Sequence, residues 1–392
     1  MSPLYTKLQE LGGLWTTLSK PKLKNLLQLS CCILASRSCN LQKCRDELAR
    51  VTGEATLKQE TAYARLKRVF QTGQVRCILK ALFLLVLHIV APDSKALLIM
   101  DRTEFSVGRR WVNLLVIGLE WHGVFVPLVW RDLGQRRVSQ QQERVDLLDQ
   151  LLAWWKASKI PLPTLCLTGD REFTGQDWIM ALEKRGLHYV IRIKSNLRFP
   201  VWFQERLKDR LIPLKTLARY MIKYRLPLME VVVNGTLVTH VMLMPQENPK
   251  DKENFILLIT NLKDWNECRA IFRRRWPIEC CFKHLKKNGF DLEGLHLQGQ
   301  HKIDLLFGLL TFVYVLAIQQ GIIKAFHRTV RLKKFDKGKV YPEQSLFRFG
   351  LFQLKQLVKE LQHLVSFLME LIDYIHSKAK CKNLIFVKSV VQ

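Results

Sequence analysis

ALLIMD (96–101), then WVNLLVIGLEW (111–121), His122-Gly123 and VFVPLVW (124–130), form the stretch that decides the fold. The first is a short apolar run closed by Asp101, and it reads as a buried strand ending in an aspartate. The next two flank a two-residue turn and read as a hairpin. Helical periodicity follows in QQERVDLLDQLLAWWKA (141–157). TLCLTGD (164–170) is a second apolar strand ending in an aspartate, and YVIRIK (189–194) is a further strand. Between these two lies a helix, GQDWIMALEKRG (175–186), closed by Gly186. The order β-β-β-α-β-α-β predicts an α/β fold.

On the N-terminal side, residues 1–90 read as helical throughout. LQKCRDELARV (41–51), a break at Thr52-Gly53, and LKQETAYARLKRVFQ (57–71) give a helix–turn–helix pattern. Lys58, Arg65, Lys67 and Arg68 on the second helix suit either a major groove or a solvated basic face. On the C-terminal side, 196–265 changes character. MEVVV (229–233), Asn234-Gly235 and TLVTHVMLM (236–244) predict a hairpin, because Asn-Gly accepts positive φ, and FILLIT (255–260) predicts a strand. This segment reads as a β-rich insertion. ECRAIFRRRWPIECCFKHLKKNGF (267–290) returns to helix, and the remainder is helical around a basic stretch, RTVRLKKFDKGK (328–339).

The predicted organisation is therefore 1–90, a helical DNA-binding domain; 91–195, the first part of the core with Asp101 and Asp170; 196–265, the insertion; 266–325, the second part of the core with Glu279; and 326–392, a C-terminal helical region.

Composition narrows the function. The 392 residues carry 62 Lys and Arg against 34 Asp and Glu, a net charge of +28, while 48 % hydrophobic residues suffice for a core. A disordered polybasic tail is excluded, and a polyanionic partner is expected, nucleic acid first and an anionic membrane surface second. The ten cysteines form no C-x-x-C pair, and MSPLYTKLQELGG lacks the apolar core of a signal peptide, so reduced thiols in a cytosolic compartment are expected. Cys31, Cys32, Cys39 and Cys44 lack the partners of a zinc site and read as small buried hydrophobes. The uncharged run 305–323 is long enough to span a bilayer, but Gln319, Gln320, Gly308 and Gly321 favour a buried central helix.

Phosphodiester cleavage by paired divalent ions requires a few carboxylates on rigid elements in a cationic setting. Asp101 and Asp170 fit by position, because adjacent central strands would bring them together. Glu104 and Glu172 beside them are expected to pair with Arg102 or Arg171 rather than to bind metal. His284 and His296 are expected to be solvated or DNA-facing. A further constellation is Phe272-x2-Arg275-x3-Glu279-x6-Lys286, whose spacing places all four residues on one face of a continuous helix. Pro277 argues instead for a helix that begins there, with Glu279 in its first turn and Arg275 and Trp276 in the lead-in.

These residues carry a resemblance. The spacing is similar to the Tyr-x2-Arg-x3-Glu-x6-Lys signature of DDE insertion-sequence transposases of the IS-four family, with Phe272 where the family has Tyr. DRTEF (101–105), TGDREF (168–173) and RWPIECCFKHLKK (275–287) resemble its three catalytic blocks, and SLFRFG (345–350) resembles a C-terminal segment. The likeness runs from about residue 95 to 350.

The resemblance implies an RNase H-like mixed-sheet core in which Asp101, Asp170 and Glu279 are catalytic and bind two Mg²⁺ ions, with Mn²⁺ as a substitute. It also implies that Arg275 and Lys286 contact transposon-end DNA and that Trp276 either stacks on a displaced base or packs in the core. Phe272 lacks the hydroxyl a Tyr would offer a phosphate, worth about 0.5–1.5 kcal/mol as a single hydrogen bond. The implied activity is cut-and-paste transposition: binding of terminal inverted repeats, cleavage at double-stranded DNA ends and strand transfer to target DNA, by a dimer in the synaptic complex, in a bacterial cytoplasm near the nucleoid. An RNase H-like nuclease and a catalytically inactive DNA-binding derivative are the alternatives.

Overall fold

The computed structural model describes residues 20–357, apart from 109, 159, 204–205, 246–253, 295–296, 298, 328–331 and 335–339. The described residues begin with the helices α1 (Lys20–Ser36), α2 (Leu41–Thr52), α3 (Gln59–Lys67) and α4 (Val75–Val90). Asn40 caps α2 by accepting the Gln42 amide at 2.9 Å, and Gly53 ends it in the left-handed conformation at φ 71°.

The central sheet follows. β1 (Lys95–Val107), β2 (Arg110–Trp121) and β3 (Val124–Asp132) form an antiparallel meander. α5 (Gln141–Ala157) then leads to β4 (Thr164–Gly169), and α6 (Gln176–Lys184) leads to β5 (His188–Ile193). β4 runs parallel to β1, and β5 runs parallel to β4. The predicted order β-β-β-α-β-α-β is thus present, and the hairpins and helices fall within a few residues of their expected bounds.

The segment 196–265 is β-rich as expected, but it does not stand apart from the sheet. Its elements are β6 (Arg198–Phe203), β7 (Arg206–Pro213), α7 (Leu214–Lys223), β8 (Leu228–Val233), β9 (Leu237–Pro245) and β10 (Phe255–Thr260). β10 pairs antiparallel with β5, so one ten-stranded sheet of order β3-β2-β1-β4-β5-β10-β9-β8-β6-β7 crosses the described residues. Asn234 and Gly235, at φ 50° and 75°, make the turn between β8 and β9.

After the sheet come α8 (Trp265–Arg273) and α9 (Pro277–Lys283), then a π-helical turn over His284–Asn288. α10 (Gln300–His327) is the long apolar helix read at 305–323. It is long and apolar enough for a bilayer, yet it is almost wholly buried inside the protein. α11 (Leu346–Leu357) lies directly against it. A Cβ on Gly350 would sit 1.7 Å from the Ala317 carbonyl oxygen, and one on Gly321 would sit 2.1 Å from that of Leu346, so only glycine permits this crossing. The C-terminal region is not purely helical, because a short hairpin, β11 (Leu332–Lys334) with β12 (Val340–Pro342), precedes α11.

A single buried cluster extends from Leu26 to Leu354, so the N-terminal helices share the core of the sheet. Cys39 donates its amide to the Phe290 carbonyl at 2.7 Å, and Lys43 pairs with Asp291 at 3.3 Å. Cys31, Cys32, Cys39 and Cys44 are fully buried, and burial pushes all four thiols up, as suits small hydrophobes rather than metal thiolates.

Candidate active site

The sheet brings the two aspartates together. Parallel pairing of β1 with β4 ends at Met100 opposite Gly169, so Asp101 and Asp170 are the next residues on adjacent strands. Asp101 does not end its strand as read from the sequence. β1 continues to Val107 against β2, because DRTEFSV alternates between buried and exposed positions along that ladder. Asp101 therefore stands where β4 stops and β1 alone runs on. Its Oδ1 accepts the Arg102 amide at 2.8 Å. Burial raises its pKa to about 6, the Arg102 amide and the Arg275 guanidinium pull it down, and Asp170 and Glu279 push it up.

The third carboxylate arrives from the helical segment. α8 stops at Arg273, and Pro277 takes the first position of α9, which puts Glu279 in the first turn. Phe272, Arg275, Glu279 and Lys286 therefore do not share one continuous helix; Pro277 breaks it. Arg275 joins the carboxylates. It donates to Asp101 Oδ2 at 3.3 Å and to Glu279 Oε1 at 2.9 Å. On the other side, Arg192 of β5 lies 3.8 Å from Asp170 Oδ1, a buried oxygen that has no hydrogen bond among the described residues. Arg192 escaped the sequence reading; its only signal is a charge inside the apolar run YVIRIK.

The remaining expected residues take distinct places. Trp276 is 61 % exposed at the mouth of α9, so it is free to meet a partner and does not pack in the core. Phe272 is half-buried and packs on the core. Lys286 lies in the π-turn, where burial lowers its pKa while Glu293 and Glu104 raise it. Glu104 and Glu172 pair with Arg102 as expected, at 2.7 and 2.5 Å. Arg102 also donates to the Asn113 side chain and the Arg137 carbonyl, so it ties β1, β2, the loop after β4 and the loop before α5 together.

His284, expected to be solvated or DNA-facing, is instead half-buried against aromatic rings. It stacks on Phe347 with ring centroids 4.5 Å apart, and burial pushes its pKa down to about 4. His296 lies outside the described residues. In the N-terminal helices, Arg65 is held by Glu54 in a two-pronged pair at 2.8 and 3.0 Å, while Lys58, Lys67 and Arg68 are exposed.

Among the described residues, no three His, Cys, Asp or Glu side chains stand close enough as they are to hold a metal ion between them. The Arg275 guanidinium bridges two of the three carboxylates here. The donor set nevertheless fits a hard divalent cation. It is all oxygen, one Asp170 oxygen is buried without a hydrogen bond, and Asp101 is raised by burial and by its acidic neighbours.

Among curated proteins, none matches the sequence. A structure titled "Cryo-EM structure of piggyBac transposase synaptic complex with hairpin DNA" aligns over 94 % of this chain and 75 % of that one, at 10 % identity and a TM-score of 0.41. The sequence profile described as "Transposase DDE domain" matches residues 93–316, which hold Asp101, Asp170 and Glu279. With more than half of its length inside that profile, the chain belongs to the DDE transposases, metal-dependent enzymes that cleave DNA.

Proposed function

We propose that this protein is a cut-and-paste transposase of the IS-four type, with an RNase H-like core whose catalytic residues are Asp101, Asp170 and Glu279. One observation supports it above the others. Asp101, within β1, lies beside Asp170, which directly follows the parallel strand β4, and Arg275 links Asp101 to Glu279 across 178 positions of chain.

In this reading the three carboxylates hold two Mg²⁺ ions, for which Mn²⁺ can stand in. When bound, the ions activate the attacking oxygen and neutralise charge at phosphorus. The chain's own residues set the stage. Asp101 and Asp170 present oxygens from the sheet, and Glu279 presents its own from the first turn of α9. Arg275 exchanges a carboxylate for a DNA phosphate, and Lys286 supplies a second cation. Exposed Trp276 stacks on a base at the cut. Hydrolysis and strand joining are both in-line displacements at phosphorus, so one site serves each. Synapsis of two ends implies at least a dimer on DNA, and we infer a bacterial cytoplasmic location at the nucleoid.

The test is a two-part assay on the element's own ends. Cleavage of flanked ends with Mg²⁺, followed by joining of pre-cut ends to target DNA, is the expected result. Cleavage without joining would leave a nuclease, and neither activity would leave a DNA-binding derivative.

A further inference from the structure

The insertion carries a cationic surface that the carboxylate site does not use. α7 buries Leu214, Leu217, Ala218 and Met221 and turns Lys215, Arg219 and Lys223 outward. These three are spaced four residues apart, so they form a single row about 12 Å long. Arg225 follows just past the helix, exposed and in the left-handed conformation at φ 54°. No Asp or Glu occurs anywhere from 211 to 229, and among the described residues none of the four cations is in an ion pair. Beside the row, the rings of Tyr220 and Tyr224 lie 4.4 Å apart and Lys223 covers the Tyr224 ring at 5.1 Å, so this face is aromatic as well as basic.

Position decides what meets this surface. Lys215 donates its amide to the Ser195 carbonyl and Leu214 to that of Leu197, each at 2.8 Å. Ser195 follows the end of β5, whose Arg192 faces Asp170. β1, β4 and β5 are parallel, so α7 starts at the same sheet edge that presents the two aspartates. Exposed Lys194 fills the gap between that edge and the row. The cations thus form a track leading away from the carboxylates along the insertion.

We propose that α7 is a backbone clamp for the duplex whose scissile phosphate occupies the carboxylate edge, with Lys215, Arg219 and Lys223 each neutralising a phosphate of that same DNA. The partner is duplex DNA because a row of exposed cations flanked by aromatic rings complements a regularly charged polyanion, and because the row starts at the cleavage edge. The contacts carry no sequence preference. This inference rests on the placement of the catalytic site at Asp101 and Asp170.

The test uses the full chain and a labelled duplex end. Affinity is measured from ~50 to ~200 mM salt for the unmodified protein, for K215A/R219A/K223A, and for a charge-keeping K215R/R219K/K223R control. Loss of the three phosphate contacts lowers the slope of log affinity against log salt by about 2.7, which shrinks the salt-induced loss over this range about 40-fold. The control keeps the original slope. Phosphates protected in ethylation interference on the insertion side lose protection only in the alanine variant. An unchanged slope in the alanine variant, beside a steep one in the unmodified protein, overturns the clamp alone. Cleavage retained in D101N would instead place the scissile phosphate elsewhere and overturn the placement on which the clamp depends.

Discussion

Arg275 donates to Asp101 Oδ2 at 3.3 Å while its other terminal nitrogen holds Glu279. A guanidinium in that position competes with any other cation for the same carboxylates. It also gives the site an internal counter-ion when DNA is absent. Replacement by Gln removes the competitor and the phosphate grip together. Arg275→Gln is expected to bind Mn²⁺ more tightly than the unmodified protein without DNA, read by paramagnetic resonance. Its cleavage rate is expected to fall about 10–100-fold, the ~1.5–3 kcal/mol of a charged hydrogen bond. Weaker Mn²⁺ binding by the variant would contradict the competition.

Asp101→Asn, Asp170→Asn and Glu279→Gln each keep shape and remove one charge. Each is expected to abolish cleavage while leaving affinity for duplex DNA within a few-fold, measured by gel shift and end-cleavage side by side. Chelation of divalent ions should have the same effect on the unmodified protein, reversed by adding Mg²⁺ or Mn²⁺. Retained cleavage in Asp101→Asn would place the chemistry elsewhere.

His284 supplies a stability prediction with a definite sign. Burial lowers its folded pKa from 6.5 to about 4, so between those values the unfolded chain binds a proton that the folded chain refuses. Its contribution to stability is therefore complete above pH 6.5 and is lost as pH falls towards about 4, by roughly 3 kcal/mol in all. His284→Phe, which keeps an aromatic ring against Phe347, should flatten this part of the pH–stability curve in urea titrations. The same fall in both proteins would assign it to other groups.

Gly350→Ala tests the contact between the last two described helices. The added methyl would meet the Ala317 carbonyl at 1.7 Å, which forces α10 and α11 apart. The expected loss is about 3 kcal/mol in chemical denaturation, with normal helical content below the transition. An unchanged midpoint would mean that α11 can lift off without consequence to the core.

Much of this architecture was legible because it is written locally. Apolar runs marked the strands of the meander, Asn234-Gly235 marked the turn between β8 and β9 by tolerating positive φ, and Pro277 marked the start of α9 by lacking an amide proton. Arg102 with Glu104 and Glu172 was also foreseeable, since unlike charges flanked both aspartates. Three features were not local. β1 ran past Asp101 because its second neighbour, β2, was longer than β4. The insertion joined the main sheet because β10 found β5, a pairing between segments more than sixty residues apart. His284 was drawn inward because Phe347 and Tyr314, far along the chain, offered their rings.

The sequence by itself determined the strands and helices, the cationic excess, the acidic residues available for catalysis and the family, since these depend on residue type and near-neighbour spacing. Tertiary structure alone decided which oxygen faces which cation. Arg275 between Asp101 and Glu279, Arg192 beside Asp170, and the row on α7 at the same edge all arise from strand order and register, which bring together groups that spacing along the chain keeps apart.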